Sequence, residues 1–422
     1  MTRRAAFDMR LVRRGSLTAL VLFAMLVLLG VIALALSLGQ LAEAKASLQT
    51  SVDSAALAAA LELVDERLLT DDPEPVAQTI LVSARARAIA YARANPVAGE
   101  PLVLQDNPQN LEQGDILFGT LDHPRDPTFQ RAESPYLHVT NAVRIRGQRT
   151  RARGNPLRLW WGAFVLMPTR NALAVSTAML DHDVLGIRPQ TSAAVPLMPI
   201  ALVSDRTLLN TRAWEYQSQF GGDLYAFDRA THTFAPGADG LREVEVLIPL
   251  QGTSAPSEAV FLQLAAMQWS DVSRQIGSGV TQQDLADYGA QFVLRSDLTL
   301  PVVATAHGPA QGSSELSLVQ QALDQVAARA EPRVWPLFVS YTADPAQPGI
   351  GDENGTAIVT GFVAARIVHV QTQDDGHGNH YLRLVLQPTM LGLSTLVTDS
   401  QYRLQQGADT WNRYLAKLRL VE

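Results

Sequence analysis

Residues 17–38 read LTALVLFAMLVLLGVIALALSL, a run of 22 positions without a charge. Only Thr18, Gly30 and Ser37 interrupt its large apolar and alanine side chains. About 20 apolar residues at ~1.5 Å rise cover a ~30 Å hydrocarbon core. Each Leu, Val, Ile or Phe favours insertion by a few tenths of a kcal/mol. The run therefore predicts a transmembrane helix, and its flanks predict the orientation. Arg3, Arg4, Arg10, Arg13 and Arg14 precede it, whereas Glu43 and Lys45, which cancel, follow it. Because basic flanks stay inside, residues 1–16 are expected to be a cytoplasmic tail, with everything after the span extracytoplasmic. Ala42-Glu43-Ala44 has the form of a signal-peptide cleavage site. The apolar run before it is longer than the roughly 7–15 residues of a signal peptide, so retention is expected.

Composition agrees with a chain only partly in water. Of 422 residues 47% are hydrophobic and 18% charged, and the latter figure lies below the ~25% typical of soluble domains. Residues 1–14 carry +4 and the other 408 carry −11. An acidic bulk argues against nucleic acid as a partner, because phosphate binding needs a basic footprint. There is no cysteine, which excludes disulfides, thiolate metal sites, Cys nucleophiles and lipid anchoring on Cys.

The helical pattern does not stop at the membrane. No Pro occurs before Pro73 and no Gly between Gly39 and Gly99. Residues 40–69 are rich in Ala, Leu, Glu and Gln, all good helix formers. One helix is expected over about 17–69. Ser51, Val52, Ala55, Ala56, Ala59 and Ala60 form a smooth small-residue surface, and between Lys45 and Glu62 the only charge is Asp53. Small side chains let another backbone approach closely, so these six are the candidate helix-packing face. Either an assembly partner or the chain's own folded part would cover them. A second helix is expected over about 73–94, with Pro73 at its first position and Asn95-Pro96 as its stop.

Arg13-Arg14-Gly15-Ser16, the apolar span, and Gln49-Thr50-Ser51-Val52-Asp53-Ser54-Ala55-Ala56-Leu57-Ala58-Ala59-Ala60 follow one another in order. This combination resembles the amino-terminal signature of the bacterial TadE/TadG-like Flp pilus-assembly proteins over residues 10–65. Residues 194–200 and 276–285 are similar to that group more loosely. The resemblance implies a pilin-like helix and an assembly role. The TadG branch often carries a von Willebrand A domain, whose metal site needs Asp-x-Ser-x-Ser. Here Asp271-Val272-Ser273-Arg274-Gln275 puts Gln at the last position and a cation before it, so that site is expected to be absent. A prepilin-type leader ending at Gly15 would carry Glu five residues on; Leu20 stands there, so processing is not expected.

From Pro96 onward the pattern changes to short alternating runs at 143–146, 244–250, 261–264 and 301–304. Residues 360–370 and 381–386 read as a hairpin around Asp374-Asp375-Gly376-His377-Gly378-Asn379. Helices are expected at about 282–288 and 315–329. The fold class is α+β: one N-terminal transmembrane helix (17–38) continuing into a long pilin-like helical region (39–95), then a mainly antiparallel β-rich region (96–422). Soft boundaries fall near 204–240 and 331.

Other constellations read as structural. His369, His377 and His380 with Asp374 and Asp375 sit at a hairpin tip. Asp344, Asp352, Glu353 and Asn354 lie in a Pro- and Gly-rich turn. Asp181-His182-Asp183 reads as a solvated strand end. Trp160, Trp161, Trp214 and Trp335 could line a carbohydrate groove, but core packing is the expectation. No phosphate-binding loop, dinucleotide fingerprint or nucleophile elbow is present. No catalytic residue, metal or cofactor is therefore expected. The reading is a single-pass membrane protein of the bacterial envelope. It would work as a structural component that contacts pilus-assembly or secretion proteins, with self-association through the N-terminal helix as an option. The alternative is an envelope ligand-binding protein or enzyme whose site is made of scattered loop residues.

Overall fold

The computed structural model describes residues 14–125, 128–160, 162, 168–191, 193–252, 257–265, 268–342, 355–398 and 412–421. They form two compact units that interleave along the chain. The first gathers residues up to Ala58 with Arg85–Leu117 and Val143–Thr177; the second gathers Ala59–Ala84, Phe118–Ala142 and the chain from Ala178 onward.

Helix α1 (Arg14–Leu61) is continuous over 48 residues, about 72 Å at 1.5 Å per residue. It stops eight residues before the expected end. Leu63 and Val64 donate their amides to Ala60 and Leu61 at 3.1 Å, which tightens the last turn. Asp65 then takes extended backbone and caps a separate 3-10 turn, Glu66–Leu69, accepting from the Arg67 amide at 3.0 Å. An Asp that can cap a new turn competes with helix continuation, and this explains the early stop. Helix α2 (Pro73–Ala94) has the expected bounds. Asn95 closes it, with its amide on the Tyr91 carbonyl at 3.1 Å.

In the first unit, α1 packs through small residues. The Ser51 hydroxyl donates to the Ala92 carbonyl of α2 at 3.3 Å, and Ala88 and Ala92 are buried. The unit also holds parts of β1 (Ile116–Thr120), β2 (Ala142–Arg149) and β3 (Ala172–Asp181), ordered β3-β2-β1. Asp115 organises the loop before β1. Its carboxylate is paired with Arg153 and accepts from the Gln105 amide at 2.8 Å.

The second unit is built on a sheet of β4 (Ile200–Val203), β5 (Val244–Gln251), β6 (Ala259–Leu262), β7 (Leu300–Thr305), β8 (Arg333–Thr342), β9 (Gly355–Asp374) and β10 (His380–Pro388). Their order is β7-β6-β4-β8-β9-β10-β5. Most pairings are antiparallel; β4 and β8 run parallel, with Leu337 opposite Leu202. The first half of β9 also pairs with β7, from Leu300↔Val359 to Ala304↔Gly355. The sheet thereby closes into a five-stranded ring, β7-β6-β4-β8-β9, and the second half of β9 leaves it to pair with β10. A register shift between Ile367 and His369 lies in that second half, the kind of bulge that bends a strand.

Two helices cover the core. Helix α3 (Trp269–Ser278), absent from the sequence reading, buries Val272 and Ile276. Helix α4 (Ser314–Arg329) is the expected amphipathic one. The Ser313 hydroxyl caps it, and Leu316, Val319, Leu323 and Val326 form its buried stripe. The expected 282–288 helix is only a 3-10 turn, Ala286–Tyr288, because Asp284 is drawn back to the Thr281 amide at 2.8 Å.

Candidate anchor, packing face and buried polar sites

Between Thr18 and Leu38 the helix is apolar all round and exposed, and only Ala33 and Ser37 are buried. Among the described residues one helix is long and apolar enough to cross a membrane, and it is this one. Uniformly apolar exposed surface of this length is stable in lipid and costly in water. The segment therefore supports membrane anchoring.

Past the apolar span the helix changes character within two turns. Ala44 and Leu48 are buried, and then Ser51, Val52, Ala55, Ala56, Ala59 and Ala60 are each at 0% exposure. The whole candidate packing face is thus covered by the chain itself. Its fit is close on the β2 side: a Cβ at Gly147 would lie 2.4 Å from Val52 Cγ1 and 3.2 Å from Leu48 Cδ1 and Leu102 Cδ2. Gly147 lets that strand lie directly on the helix. The lone charge, Asp53, accepts from the Gln49 side chain one turn back at 2.8 Å.

Four residues after α1 lies a buried ionic cluster that sequence reasoning missed. Glu66 accepts from Arg229 Nε at 3.0 Å, from Arg366 Nη2 at 3.0 Å and from the Thr389 hydroxyl at 2.7 Å. Asp65 accepts from Arg67 Nη2 at 2.7 Å and Arg229 Nη1 at 2.9 Å. Burial pushes the Asp65 carboxyl up, but the Arg67 and Arg229 hydrogen bonds outweigh it and hold it at about 2. The signal available in the sequence was the adjacent Asp65-Glu66-Arg67; its partners are too distant in the chain to be read from it.

Asp181-His182-Asp183 corrects an expectation. All three are buried, at 2%, 6% and 3% exposure, rather than forming a solvated strand end. Asp181 accepts from the Thr398 hydroxyl at 2.6 Å and lies 3.1 Å from Arg419 Nε. His182 Nδ1 lies 2.8 Å from the Asn412 carbonyl oxygen and 3.2 Å from that of Leu415. Asp181 and His182 thus meet C-terminal groups in place of water.

The remaining candidates are dispersed. His369 contacts Gln371, His380 lies 3.2 Å from Asp374, and the Asp375 carboxylate accepts from the His377 and Asn379 amides. The three histidines therefore serve separate parts of the hairpin. Asp271 lies on α3, 3.9 Å from Arg274, which itself pairs with Asp284. Burial would raise the Asp284 carboxyl, but hydrogen bonds from Arg274 and Thr281 hold it at about 2. Trp214 and Trp335 are buried in the core, donating to Tyr414 Oη at 3.2 Å and the Ala365 carbonyl at 3.3 Å. Trp160 is exposed. Trp161, Asp344, Asp352, Glu353 and Asn354 lie outside the described residues. Among the described residues no three His, Asp or Glu converge as a metal site requires. The second unit also contains a cavity of about 1120 Å³ whose lining includes His138, Thr140, Asn141, His182, Trp214 and Tyr414.

Residues 15–62 match the Tad family model, described as Flp pilus-assembly TadE/G-like. No curated protein and no solved structure matches the chain.

Proposed function

We propose that the chain is a structural, non-catalytic component of a bacterial Tad/Flp-type pilus or secretion system. One membrane crossing over residues 17–38 holds it in the cell membrane, with residues 1–16 in the cytoplasm and the chain beyond the span outside. The observation that carries this reading is a coincidence on one helix. The family match over residues 15–62 falls on the helix that is exposed and apolar over the span and buries Ser51, Val52, Ala55, Ala56, Ala59 and Ala60 beyond it. The five arginines before the span support the orientation. Its partners would be pilus-assembly or secretion proteins in the same membrane. The face from Ser51 to Ala60 is already filled by the chain itself, so contact with them, or with a second copy, would use other surfaces.

The cysteine-free background makes the topology testable. Ser16→Cys and Ser317→Cys, the latter exposed on α4, are each introduced alone, and intact spheroplasts are treated with an impermeant maleimide. Labelling of Ser317→Cys only is expected; labelling of Ser16→Cys only reverses the topology. The assembly role is tested by deleting the gene and scoring surface pili, with wild-type piliation overturning it. The cavity favours a second reading, in which the second unit binds an amphipathic ligand in this space, lined by apolar residues and by polar ones such as His138, Asn141 and His182. Recovery of a stoichiometric small molecule from the purified protein would support that reading.

A further inference from the structure

Gln40 of α1 holds one end of a short antiparallel ladder in the first unit, between Leu157–Arg158 and Thr169–Arg170. Gln40 Nε2 donates to the Arg158 carbonyl at 3.1 Å, and Gln40 Oε1 accepts from the Trp160 amide at 2.9 Å. Arg158 and Trp160 therefore stand beside α1 at the level of Gln40. That residue lies two positions beyond Leu38, about 3 Å along the axis at ~1.5 Å per residue. A bilayer of ~40–45 Å with a ~30 Å hydrocarbon core has a polar layer roughly 5–7 Å deep on each side. With residues 17–38 in the core, Arg158 and Trp160 fall within that layer. Trp160 is 85% exposed, at a depth where Trp is enriched.

The same ladder brings two guanidinium groups together. Arg158 is exposed and pairs with Thr169 across the ladder. Side chains of such a pair share one side of the sheet, with Cβ atoms about 4.5–5.5 Å apart. The Thr169 hydroxyl accepts from Arg151 Nε at 3.0 Å, which holds a second exposed guanidinium next to Arg158. The Arg151 amide donates to Asn171 Oδ1 at 3.0 Å and fixes that residue further. Residues 143–177 carry seven arginines and no Asp or Glu. Arg149 and Arg153 pair with Glu100 and Asp115 from elsewhere in the unit. Among the described residues Arg151 and Arg158 form no ion pair. Two neighbouring cations without a carboxylate suit an anion with several acceptor oxygens, which guanidinium groups bind through parallel hydrogen bonds.

We propose that Arg151 and Arg158 bind the phosphate of an anionic phospholipid in the leaflet at the Leu38 end of the span, with Trp160 among the headgroups beside it. This rests on the membrane-anchor reading of residues 17–38. The level set by Gln40 selects a lipid phosphate as the anion, because that is the layer in which lipid phosphates lie. A headgroup of net negative charge is preferred over a zwitterionic one, whose own cation offsets its phosphate. The site leaves the orientation argument intact. Basic residues direct insertion within about 15–20 positions of a span, whereas Arg158 lies 118 positions after Gln40 and meets the membrane only in the folded chain. A lipid held here ties the first unit to the membrane surface and fixes the rotation of α1 about its axis, which a single helix leaves free.

The test uses the full chain in phosphatidylcholine vesicles, with lipids brominated in their acyl chains as quenchers. Leu36, one turn before Gln40 on the same face of α1, is 49% exposed, and Leu29 in the span is 57% exposed. Leu36→Cys and Leu29→Cys each carry a fluorophore, in a chain with no other cysteine. Brominated phosphatidylglycerol is titrated against brominated phosphatidylcholine. The expected result is a preference for phosphatidylglycerol at position 36, on a scale of roughly fivefold per arginine, that falls as salt is added. Arg151→Gln with Arg158→Gln abolishes it. Arg158→Gln alone leaves the Arg151–Thr169 bond in place and lowers it about fivefold. Equal quenching by the two lipids at position 36, no quenching there, or a preference unchanged in both variants overturns the lipid site, while quenching at position 29 keeps the anchor. Absence of quenching at both positions removes the anchor reading and this proposal together.

Discussion

Arg366 donates to the Glu66 carboxylate at 3.0 Å across 300 positions of sequence. The Arg366 side chain is 10% exposed and that of Glu66 9%, and the Arg366 guanidinium lies 4.0 Å from the centre of the Phe227 ring. The pair ties the turn that follows α1 to the ring-leaving half of β9. Burial makes it expensive to break. Removing one partner of a buried pair leaves a stranded charge, at a cost of about 3–5 kcal/mol.

Glu66→Ala should therefore destabilise the second unit by about 3–5 kcal/mol in urea unfolding of the detergent-solubilised chain. Glu66→Gln keeps acceptor capacity for Thr389 and should cost less. A loss below ~1 kcal/mol for Glu66→Ala would mean that the cluster is solvated and that the pair is worth no more than a surface one.

Asp65 predicts an acid limb. Its carboxyl is held at about 2 rather than the ordinary 3.8. A group depressed in the folded state binds fewer protons folded than unfolded, so its stabilisation is complete above 3.8 and is lost as pH falls towards about 2. Asp65→Asn should lower stability at neutral pH and flatten the dependence in that window. An unchanged slope would assign the acid limb to other groups.

His182 predicts a second, milder limb. Burial lowers its pKa, and hydrogen bonds to the Asn412 and Leu415 carbonyls and the nearby Asp181 charge only partly oppose that. Because the folded pKa lies below the ordinary 6.5, the contribution is fully present above 6.5 and is lost on acidification. The chain should unfold at lower temperature at pH 5 than at pH 7. His182→Asn should reduce that difference, and a variant with the wild-type difference would exclude His182 as its source.

Gly147 should not accept a side chain. Its Cβ position is 2.4 Å from Val52 Cγ1, inside any real contact, so Gly147→Ala should cost about 1–3 kcal/mol by overpacking. Combining it with Val52→Ala should recover part of that loss, because the clash is with the Val52 methyl. Simple additivity of the two losses would show that the helix and strand separate instead.

Ala56→Arg tests the buried face of α1. The position is at 0% exposure, so a long cation there has no solvent and no prepared partner. A loss of several kcal/mol is expected, visible as protease sensitivity of the first unit. If the variant keeps wild-type stability, the face opens readily and could receive another helix.

Much of the helical architecture was legible in the sequence. The uncharged run over 17–38, the Pro73 start and Asn95-Pro96 stop of α2, and the apolar stripe of α4 act over a few residues. The same holds for the β9–β10 hairpin, whose turn Asp375 closes by accepting from the His377 and Asn379 amides. The six small residues from Ser51 to Ala60 were legible as a packing face for the same reason, since side-chain size and helical spacing are local properties. What covers them was not.

Only the tertiary structure decided what depends on partners far along the chain. The end of α1 at Leu61 follows from Asp65, whose carboxylate turns to cap a new turn and meets Arg229. The burial of Asp181-His182-Asp183 depends on Thr398, Asn412 and Leu415. Closure of the ring depends on β9 meeting β7 with its first half and β10 with its second, a choice of register that the alternation of either strand permits but does not dictate. In each case the local sequence allows several outcomes of similar energy. The outcome is selected by desolvation: a polar group removed from water must find its hydrogen-bond partner in the folded chain, wherever along the sequence that partner lies.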